Sequence, residues 1–313
     1  MAVLGIDLGA TKVALALFSE KGEIIQKQTA LLQHRNGQQV GELILSSARD
    51  LISKKKSIDI ESIGVAVPGI SRIRSGTVWA PNIPGWEDYP LKNEIRKSWP
   101  SAEVIIESDR ACCILGEQWK GNAKGCKDVI YLTVGTGIGA GILIDGDILH
   151  GANDIAGAIG WMALNKPFEE KYVSCGCFEY NASGTGIAKV AAELLQQNPN
   201  YKGVLKKDSV TAEEVFHAFD RKDEIAMKVI QNCIQYWGMA VANLVSLFNP
   251  EKIIFGGGVF GPAVQFLPMI YEEACKWSQP ISIRQMTLEP SALKDDSALY
   301  GAGYLALQKI GAV

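Results

Sequence analysis

The alternation of apolar runs with polar turns divides the chain into short strands and amphipathic helices. Apolar runs bounded by turn residues predict strands, which lie within residues 3–18, 24–29, 63–67, 104–107, 132–144 and 252–255. Apolar positions at helical spacing predict helices, which lie at residues 38–53, 110–119 and 230–248. Strands followed by covering helices are typical of an α/β protein.

The first predicted hairpin, over residues 3–18, has a turn with the chemistry of a phosphate and metal site. Gly9 lets the backbone approach a ligand closely, and Thr11 and Lys12 can donate hydrogen bonds to phosphate oxygens. The carboxylate of Asp7 can hold a metal ion. A hairpin turn that binds nothing is the alternative for this stretch taken alone.

The second predicted hairpin, over residues 132–144, repeats this arrangement. Thr133 takes the position of Asp7, and Gly135 takes that of Gly9. Two such hairpins, each beginning one half of the chain, indicate a duplicated domain with phosphates held between the copies. The repeat therefore favours nucleotide binding.

Composition limits the possible classes of protein. The 313 residues suffice for two domains, and a hydrophobic share of 47% with a charged share of 21% is that of a globular protein. A net charge of -3 gives no bulk attraction to nucleic acid or to an anionic membrane. The sequence shows neither a membrane-spanning apolar segment nor a signal peptide, so we expect a cytoplasmic protein. Seven cysteines, an odd number, fit reduced thiols better than a disulfide framework.

Two further stretches place polar side chains where a ligand can reach them. Residues 81–86 predict a packed loop in which Asn82 offers a donor and an acceptor to a hydroxyl-bearing ligand, or else bonds its own backbone. Ser108 and Asp109 join a predicted strand to a predicted helix. The positive end of that helix keeps the Asp109 carboxylate ionised and able to accept a proton from an alcohol; the alternative role is that of a helix N-cap.

The second half of the chain contains one glycine stretch and one cysteine stretch that could form binding sites, and the two signals differ in strength. Gly256 to Gly258 follow a predicted strand, and backbone without side chains there lets a flat base or a ribose lie close. Cys175 and Cys177 form a poor zinc signal, because a closed structural site needs four ligands and this neighbourhood has no histidine.

Five motifs follow one another along the chain, at residues 7–12, 81–86, 108–109, 135–141 and 249–258. Their order and spacing resemble those of the ROK family of sugar kinases and repressors, and the resemblance continues to residues 299–303. It implies an α/β protein with a two-domain actin-like, hexokinase-like ATPase fold of the ribonuclease H-like type and an interdomain cleft. The expected domains are residues 1–120 with a returning helix at about 298–313, and residues 121–297.

The resemblance implies an ATP-dependent sugar kinase whose partners are a small sugar and Mg-ATP, with a homodimer suggested. The residues implied to bind nucleotide are Asp7, Gly9, Thr11, Lys12, Thr133, Gly135, Thr136, Gly137, Gly256, Gly257 and Gly258. Asp7 is the expected Mg²⁺ residue, directly or through a water molecule. The residues implied to contact the sugar are Gly69, Asn82, Ser108, Asp109, Asn153, Ala158, Trp161 and Glu179. Asp109 is the expected general base, which takes the proton from a hydroxyl group, usually that on carbon six.

The chain departs from the family at a sugar- and zinc-binding motif. Where the family usually has Ala-Gly-Glu-X-Gly-His, this chain has Ala158 in place of the glutamate and Trp161 in place of the histidine. Both normally hold sugar hydroxyls, and the histidine is also a zinc ligand. Glu170 and Tyr172 stand where the first two zinc-binding cysteines belong, so we expect no structural zinc and an incidental Cys175.

The two replacements change the expected substrate. A buried hydroxyl without a partner costs about 1–3 kcal/mol, which disfavours an ordinary glucose pose. We expect a hexose-like substrate altered or substituted at carbons one to three, such as an amino, deoxy or anhydro sugar or a cyclitol; alternatively, Trp161 stacks on an unmodified sugar. A catalytically weak sugar sensor is the alternative function. A DNA-binding repressor is disfavoured, because the phosphate hairpin begins at Val3 and leaves no room for an N-terminal helix-turn-helix.

Overall fold

The computed structural model describes residues 2–55, 59–206 and 210–313. The strands are β1 (Ala2–Leu8), β2 (Lys12–Ser19), β3 (Ile24–Leu31), β4 (Ile60–Val67), β5 (Ile70–Arg72), β6 (Thr77–Trp79), β7 (Glu103–Ser108), β8 (Val129–Val134), β9 (Ile138–Ile144), β10 (Asp147–Ile148), β11 (Lys252–Gly256) and β12 (Thr287–Pro290). The α-helices are α1 (Gly37–Ser53), α2 (Leu91–Ser98), α3 (Asp109–Lys120), α4 (Cys177–Ala182), α5 (Gly184–Gln197), α6 (Ala212–Asp220), α7 (Glu224–Phe248), α8 (Leu267–Trp277), α9 (Ser282–Gln285) and α10 (Ser297–Lys309).

The strands and helices predicted from the apolar pattern are confirmed, with ends that differ by a few residues. The largest extension is in α7, which begins at Glu224 although its clear apolar stripe starts at Ile230. Asp223 explains the earlier start, because its Oδ1 accepts the backbone N–H groups of Ile225 and Ala226 at 3.0 and 3.1 Å. The helix ends where Asn249 takes a left-handed conformation before Pro250.

The chain divides into two compact units, of which the first comprises residues 1–125, 148–156 and 292–313. Its sheet has the strand order β3-β2-β1-β4-β7. β1 is antiparallel to β2, and β2 to β3, whereas β4 is parallel to both β1 and β7. The ends of β1, β4 and β7 therefore meet at one edge of the sheet, and this edge carries the residues discussed below.

Both faces of the first sheet are covered by helices. Leu4 and Ile6 pack with Ile44 of α1, whereas Val3 packs with Leu299 of α10 on the other face, as the alternation of side chains along a strand requires. Helix α10 lies very close to β4, since a Cβ atom added to Gly64 would lie 1.9 Å from the carbonyl oxygen of Ala302. A glycine is needed in the strand for this contact.

The second unit comprises residues 126–147 and 157–291. Its sheet has the order β10-β9-β8-β11-β12, which repeats that of the first sheet element by element. β8 is antiparallel to β9 and parallel to β11, as β1 is to β2 and β4. Asp7 and Thr133 each lie in the next-to-last pair of their hairpins, opposite Ala14 and Gly139. The internal duplication predicted from the two polar turns is thus present in the fold.

Candidate active site

The turn between β1 and β2 presents the polar residues of the first motif. The N–H of Gly9 donates to the carbonyl oxygen of Lys12 at 2.9 Å, which closes the turn. Thr11 and Lys12 are exposed, so their donor groups face solvent. Asp7 lies just before the turn, on the strand end that neighbours β4.

The junction between β7 and α3 places Asp109 at the same edge of the sheet. Ser108 is the N-cap of α3, because its hydroxyl oxygen accepts the N–H of Ala111 at 3.3 Å. Asp109 is the first helical residue, and its Oδ1 accepts the N–H of Arg110 at 2.8 Å. The N-cap role that was an alternative for Asp109 therefore belongs to its neighbour, and the Asp109 carboxylate is left at the positive end of the helix.

Asp7 and Asp109 are two buried carboxyl groups, and the charge of Asp109 acts on Asp7. Burial first, and then the charge of Asp109, raise the pKa of Asp7 to about 7, whereas the charge of Lys12 opposes the shift. Burial also raises the pKa of Asp109, against the charge and backbone N–H of Arg110. A divalent cation would offset the repulsion between the two carboxylates. This donor chemistry fits Mg²⁺, which typically binds one or two protein carboxylates together with phosphate oxygens.

The remaining predicted sugar residues of the first unit lie on loops. Gly69 follows β4 with φ of +99°, and its carbonyl oxygen accepts a hydrogen bond from Arg110 at 3.3 Å. Asn82 is exposed on a turn that precedes the buried Trp86, whose Nε1–H donates to the carbonyl oxygen of Gly37 at 2.9 Å. Asn153 is exposed in the segment 148–156. The packed loop predicted at residues 81–86 is confirmed, whereas the ligand contacts stay predictions.

In the second unit, two glycine-rich turns lie at one edge of the sheet. The N–H of Gly135 donates to the carbonyl oxygen of Gly137 at 2.9 Å across the β8–β9 turn, which includes Thr136. Thr133 pairs with Gly256 on the parallel neighbour β11. The following Gly257 has φ of +86° and approaches β8 so closely that an added Cβ atom would lie 2.4 Å from the carbonyl oxygen of Val134.

Glu179 on α4 is hydrogen-bonded to the β8–β9 turn. Its Oε2 accepts the backbone N–H of Ile138 at 2.6 Å, and a Cβ atom added to Gly137 would lie 2.6 Å from that same oxygen. Burial raises the pKa of the Glu179 carboxyl, and the hydrogen bond from Ile138 opposes the shift. The predicted sugar residue is thus joined directly to the predicted phosphate turn.

The two unusual residues flank Ile159 and Gly160, and Gly160 lies beside Glu179. Ala158 precedes a short 3₁₀ turn over Ile159–Trp161, and a Cβ atom added to Gly160 would lie 3.0 Å from the Glu179 side chain. Trp161 ends this turn with 58% of its surface exposed. The turn next to Glu179 therefore carries an exposed indole.

Comparison with known proteins supplies the family. A model of the ROK family matches residues 3–309. The chain belongs to the ROK family. A glucokinase from Halalkalibacterium halodurans is 33% identical over 321 residues, which cover 98% of this chain and 95% of that protein. A xylose repressor from Caldicellulosiruptor bescii is 32% identical, over 96% of this chain and 76% of the repressor.

A solved structure agrees with the ROK assignment. The crystal structure of a ROK family glucokinase from Streptomyces griseus in complex with glucose and AMPPNP has a TM-score of 0.79 and 26% sequence identity. The match covers 98% of this chain and 100% of that one. The fold is accordingly the actin-like ATPase fold of the ROK kinases, as the resemblance implied.

Two contacts near the predicted ROK motifs were missed in the sequence. His150 is hydrogen-bonded to Glu107, and the N–H of Gly184, at the start of α5, donates to the carbonyl oxygen of Gly135 at 2.8 Å. A weak signal existed for the second contact, because residues 184–186 repeat the Gly-Thr-Gly of residues 135–137. Nothing local links His150 to a glutamate that lies 43 positions earlier.

Two other kinds of feature are absent from the described part of the chain. Within residues 2–55, 59–206 and 210–313, no group of three or more histidine, cysteine, aspartate or glutamate side chains is placed to hold a metal ion. Over the same residues, no helix has the length and apolar character required to cross a membrane.

Proposed function

We propose that this ROK protein transfers the γ-phosphoryl group of ATP to a hydroxyl group of a hexose-like sugar, with Asp109 as the general base. The observation that carries the proposal is the position of Asp109, the first residue of α3, beside Asp7 at the shared edge of β1, β4 and β7. A protein that only binds sugar has no need of a second carboxylate there.

The proposed roles follow from the chemistry of phosphoryl transfer. The sugar oxygen forms a bond to the γ-phosphorus, the bond between that phosphorus and the β,γ-bridging oxygen breaks, and the hydroxyl proton passes to Asp109 as ADP leaves. Bound Mg²⁺ would neutralise phosphate charge, and Asp7 would hold it. Thr11, Lys12 and the β8–β9 turn would position the phosphates.

The proposed acceptor is the hydroxyl on carbon six of a sugar altered or substituted at carbons one to three. Support comes from Ala158 and Trp161, which offer a methyl group and an exposed indole where hydroxyls of an ordinary hexose would need polar partners. Stacking of Trp161 on an unmodified sugar is the alternative, since aromatic rings also pack on apolar sugar faces.

The test is ADP release with Mg-ATP and a panel of hexoses, amino sugars, deoxy sugars, anhydro sugars and inositols, run beside Asp109→Asn. We expect turnover with one class of compound and a fall of about 10²–10⁴-fold in kcat in the variant. The double variant Ala158→Glu with Trp161→His should shift preference toward plain glucose. A wild-type preference for glucose would contradict the substrate proposal but leave the kinase assignment intact.

A sugar sensor is the second candidate function, and the same two residues favour it. If no compound of the panel causes ADP release while calorimetry still detects sugar binding, the protein would belong to the class of sugar sensors. Turnover that survives Asp109→Asn would instead contradict the proposed base.

The proposal includes a homodimer and the absence of structural zinc. Tyr172 supports the absence of zinc, because it is buried and its hydroxyl donates to Glu169 at 2.7 Å. Its ring also packs edge-on against that of Tyr180, with 5.7 Å between the ring centroids. This cluster occupies the stretch where the family's zinc-binding cysteines would stand. Elemental analysis of the purified protein and light scattering test the two points separately.

A further inference from the structure

Glu107 and His150 form a hydrogen-bonded pair that the proposed transfer does not use. His150 Nε2 lies 2.7 Å from Glu107 Oε2. The Glu107 side chain is 10% exposed and that of His150 33%. The second carboxylate oxygen of Glu107 accepts the backbone N–H of Ser108 at 2.7 Å. The carboxylate is therefore held at the β7–α3 junction, two residues before Asp109.

His150 begins a closed loop that belongs to the first unit. The chain passes from the second unit into the first at Ile148 and returns at Gly157. The N–H of Ala156 donates to the carbonyl oxygen of His150 at 3.1 Å, which closes the loop. A second link is made by Asp154, whose Oδ2 accepts the N–H of Ile73 at 3.3 Å. Asn153 lies between these two attachment points.

We propose that His150 is a positioning residue: through Glu107, it holds the loop that carries Asn153 in a fixed place relative to Asp109. This inference rests on the proposed function, because Asn153 and Asp109 need a common frame only if they act on one sugar. The link from His150 to Glu107 ends two residues before the proposed base. Without it, the loop would depend more on its longer hydrogen bond to Ile73.

The charges around His150 favour its protonated form. Its pKa is raised by the hydrogen bond to Glu107 and by the charges of Glu107 and Asp154, while burial opposes the shift. Among the residues that the structure describes, these two carboxylates are the charged groups that act on the imidazole. The pair is consequently strongest at pH values below the His150 pKa and weakens as the imidazole loses its proton above it.

The kinetic test compares His150→Leu, His150→Gln and the control His217→Leu, which alters an exposed histidine on α6. In His150→Leu we expect the KM for sugar at pH 6 to rise about tenfold, with kcat and the KM for ATP nearly unchanged. His150→Gln should recover most of the loss, because its amide can donate to Glu107. The wild-type KM for sugar should rise between pH 6 and 9, whereas that of His150→Gln stays flat.

Equal KM values for sugar in wild type and His150→Leu would overturn the positioning role, as would an equal rise in His217→Leu. A second measurement does not need turnover. In NMR spectra, Glu107→Gln should lower the pKa of His150 and broaden the side-chain amide signal of Asn153, with His34 and His217 as internal references. Unchanged signals would overturn the inference. If wild type releases no ADP with any sugar, the proposed function falls, and the positioning role of His150 in phosphoryl transfer falls with it, whatever the NMR result.

Discussion

Glu179 accepts the backbone N–H of Ile138 at 2.6 Å, and so connects α4 to the turn that begins β9. A hydrogen bond to a charged group is worth about 1.5–3 kcal/mol, and here it also orders the Gly135–Gly137 turn. One side chain is thereby placed to affect the binding of both proposed substrates.

We expect Glu179→Ala to raise the KM for sugar and the KM for ATP by about tenfold or more, because the N–H of Ile138 loses its acceptor. Glu179→Gln keeps an acceptor oxygen and should affect ATP less. Glu214→Ala is a matched control, since Glu214 accepts the backbone N–H of Thr211 at 2.9 Å at the start of α6. An unchanged KM for ATP in Glu179→Ala would contradict the link to the turn.

Asp7 should reduce stability as pH rises. Its pKa is 3.8 in a model peptide and about 7 in the fold, so the folded state binds more protons than the unfolded state between these values. The loss of folding stability caused by ionisation of Asp7 is absent below pH 4 and complete above pH 7. We expect Asp7→Asn to be more stable than wild type by about 1–3 kcal/mol at pH 8, a range reduced because solvent screens the partly exposed side chain. At pH 4 it should be no more stable than wild type.

Denaturant unfolding of Asp7→Asn and wild type at both pH values measures this difference, without Mg²⁺. Phosphoryl transfer should fall at least about 100-fold in the same variant, because the proposed Mg²⁺ residue is lost. If the variant is less stable than wild type at pH 8, the ionised Asp7 side chain does not destabilise the free protein, and the prediction is wrong.

Tyr180 directly follows Glu179 in α4 and should fix the position of the Glu179 side chain. Its hydroxyl is hydrogen-bonded to Glu193, and Lys171 lies near the Tyr180 ring and 3.4 Å from the same carboxylate. We expect Tyr180→Phe to raise the KM for sugar about three- to tenfold with little loss of kcat. Tyr201→Phe is the control, because Tyr201 donates to Asp223 at 2.6 Å in the same unit. Equal effects in both variants would show a general loss of stability.

Gly257 should tolerate no side chain, and Gly125 provides the comparison. Both have φ above +80°, so alanine strains the backbone at either position by about 1 kcal/mol. Only at Gly257 would the new Cβ atom also meet the carbonyl oxygen of Val134, at 2.4 Å; at Gly125 nothing lies within 4 Å. We expect Gly257→Ala to lower the free energy of unfolding by at least about 2 kcal/mol more than Gly125→Ala. Equal losses would mean that the β8 end can move away.

Local patterns were sufficient for the elements and for the repeat. Apolar spacing alone predicts α7 and both hairpins, because burial of one face imposes its period on the sequence. The equivalence of Asp7 with Thr133 was also visible, since each turn is continuous in the chain. The roles assigned to the polar residues, Asn82 and Asn153 among them, rest on the resemblance and stay predictions.

Contacts between distant segments could not be derived in this way. The strands, the helices and the order of the ROK motifs could be predicted from the sequence, because these depend on residues that are neighbours along the chain. Three contacts became visible in the structure: Ser108 caps α3, Glu179 accepts the N–H of Ile138, and His150 pairs with Glu107. The first choice depends on local backbone geometry that several polar residues can satisfy equally well. The other two contacts depend on sheet order and helix packing, which bring together residues about 40 positions apart. No periodic pattern in the sequence indicates such contacts.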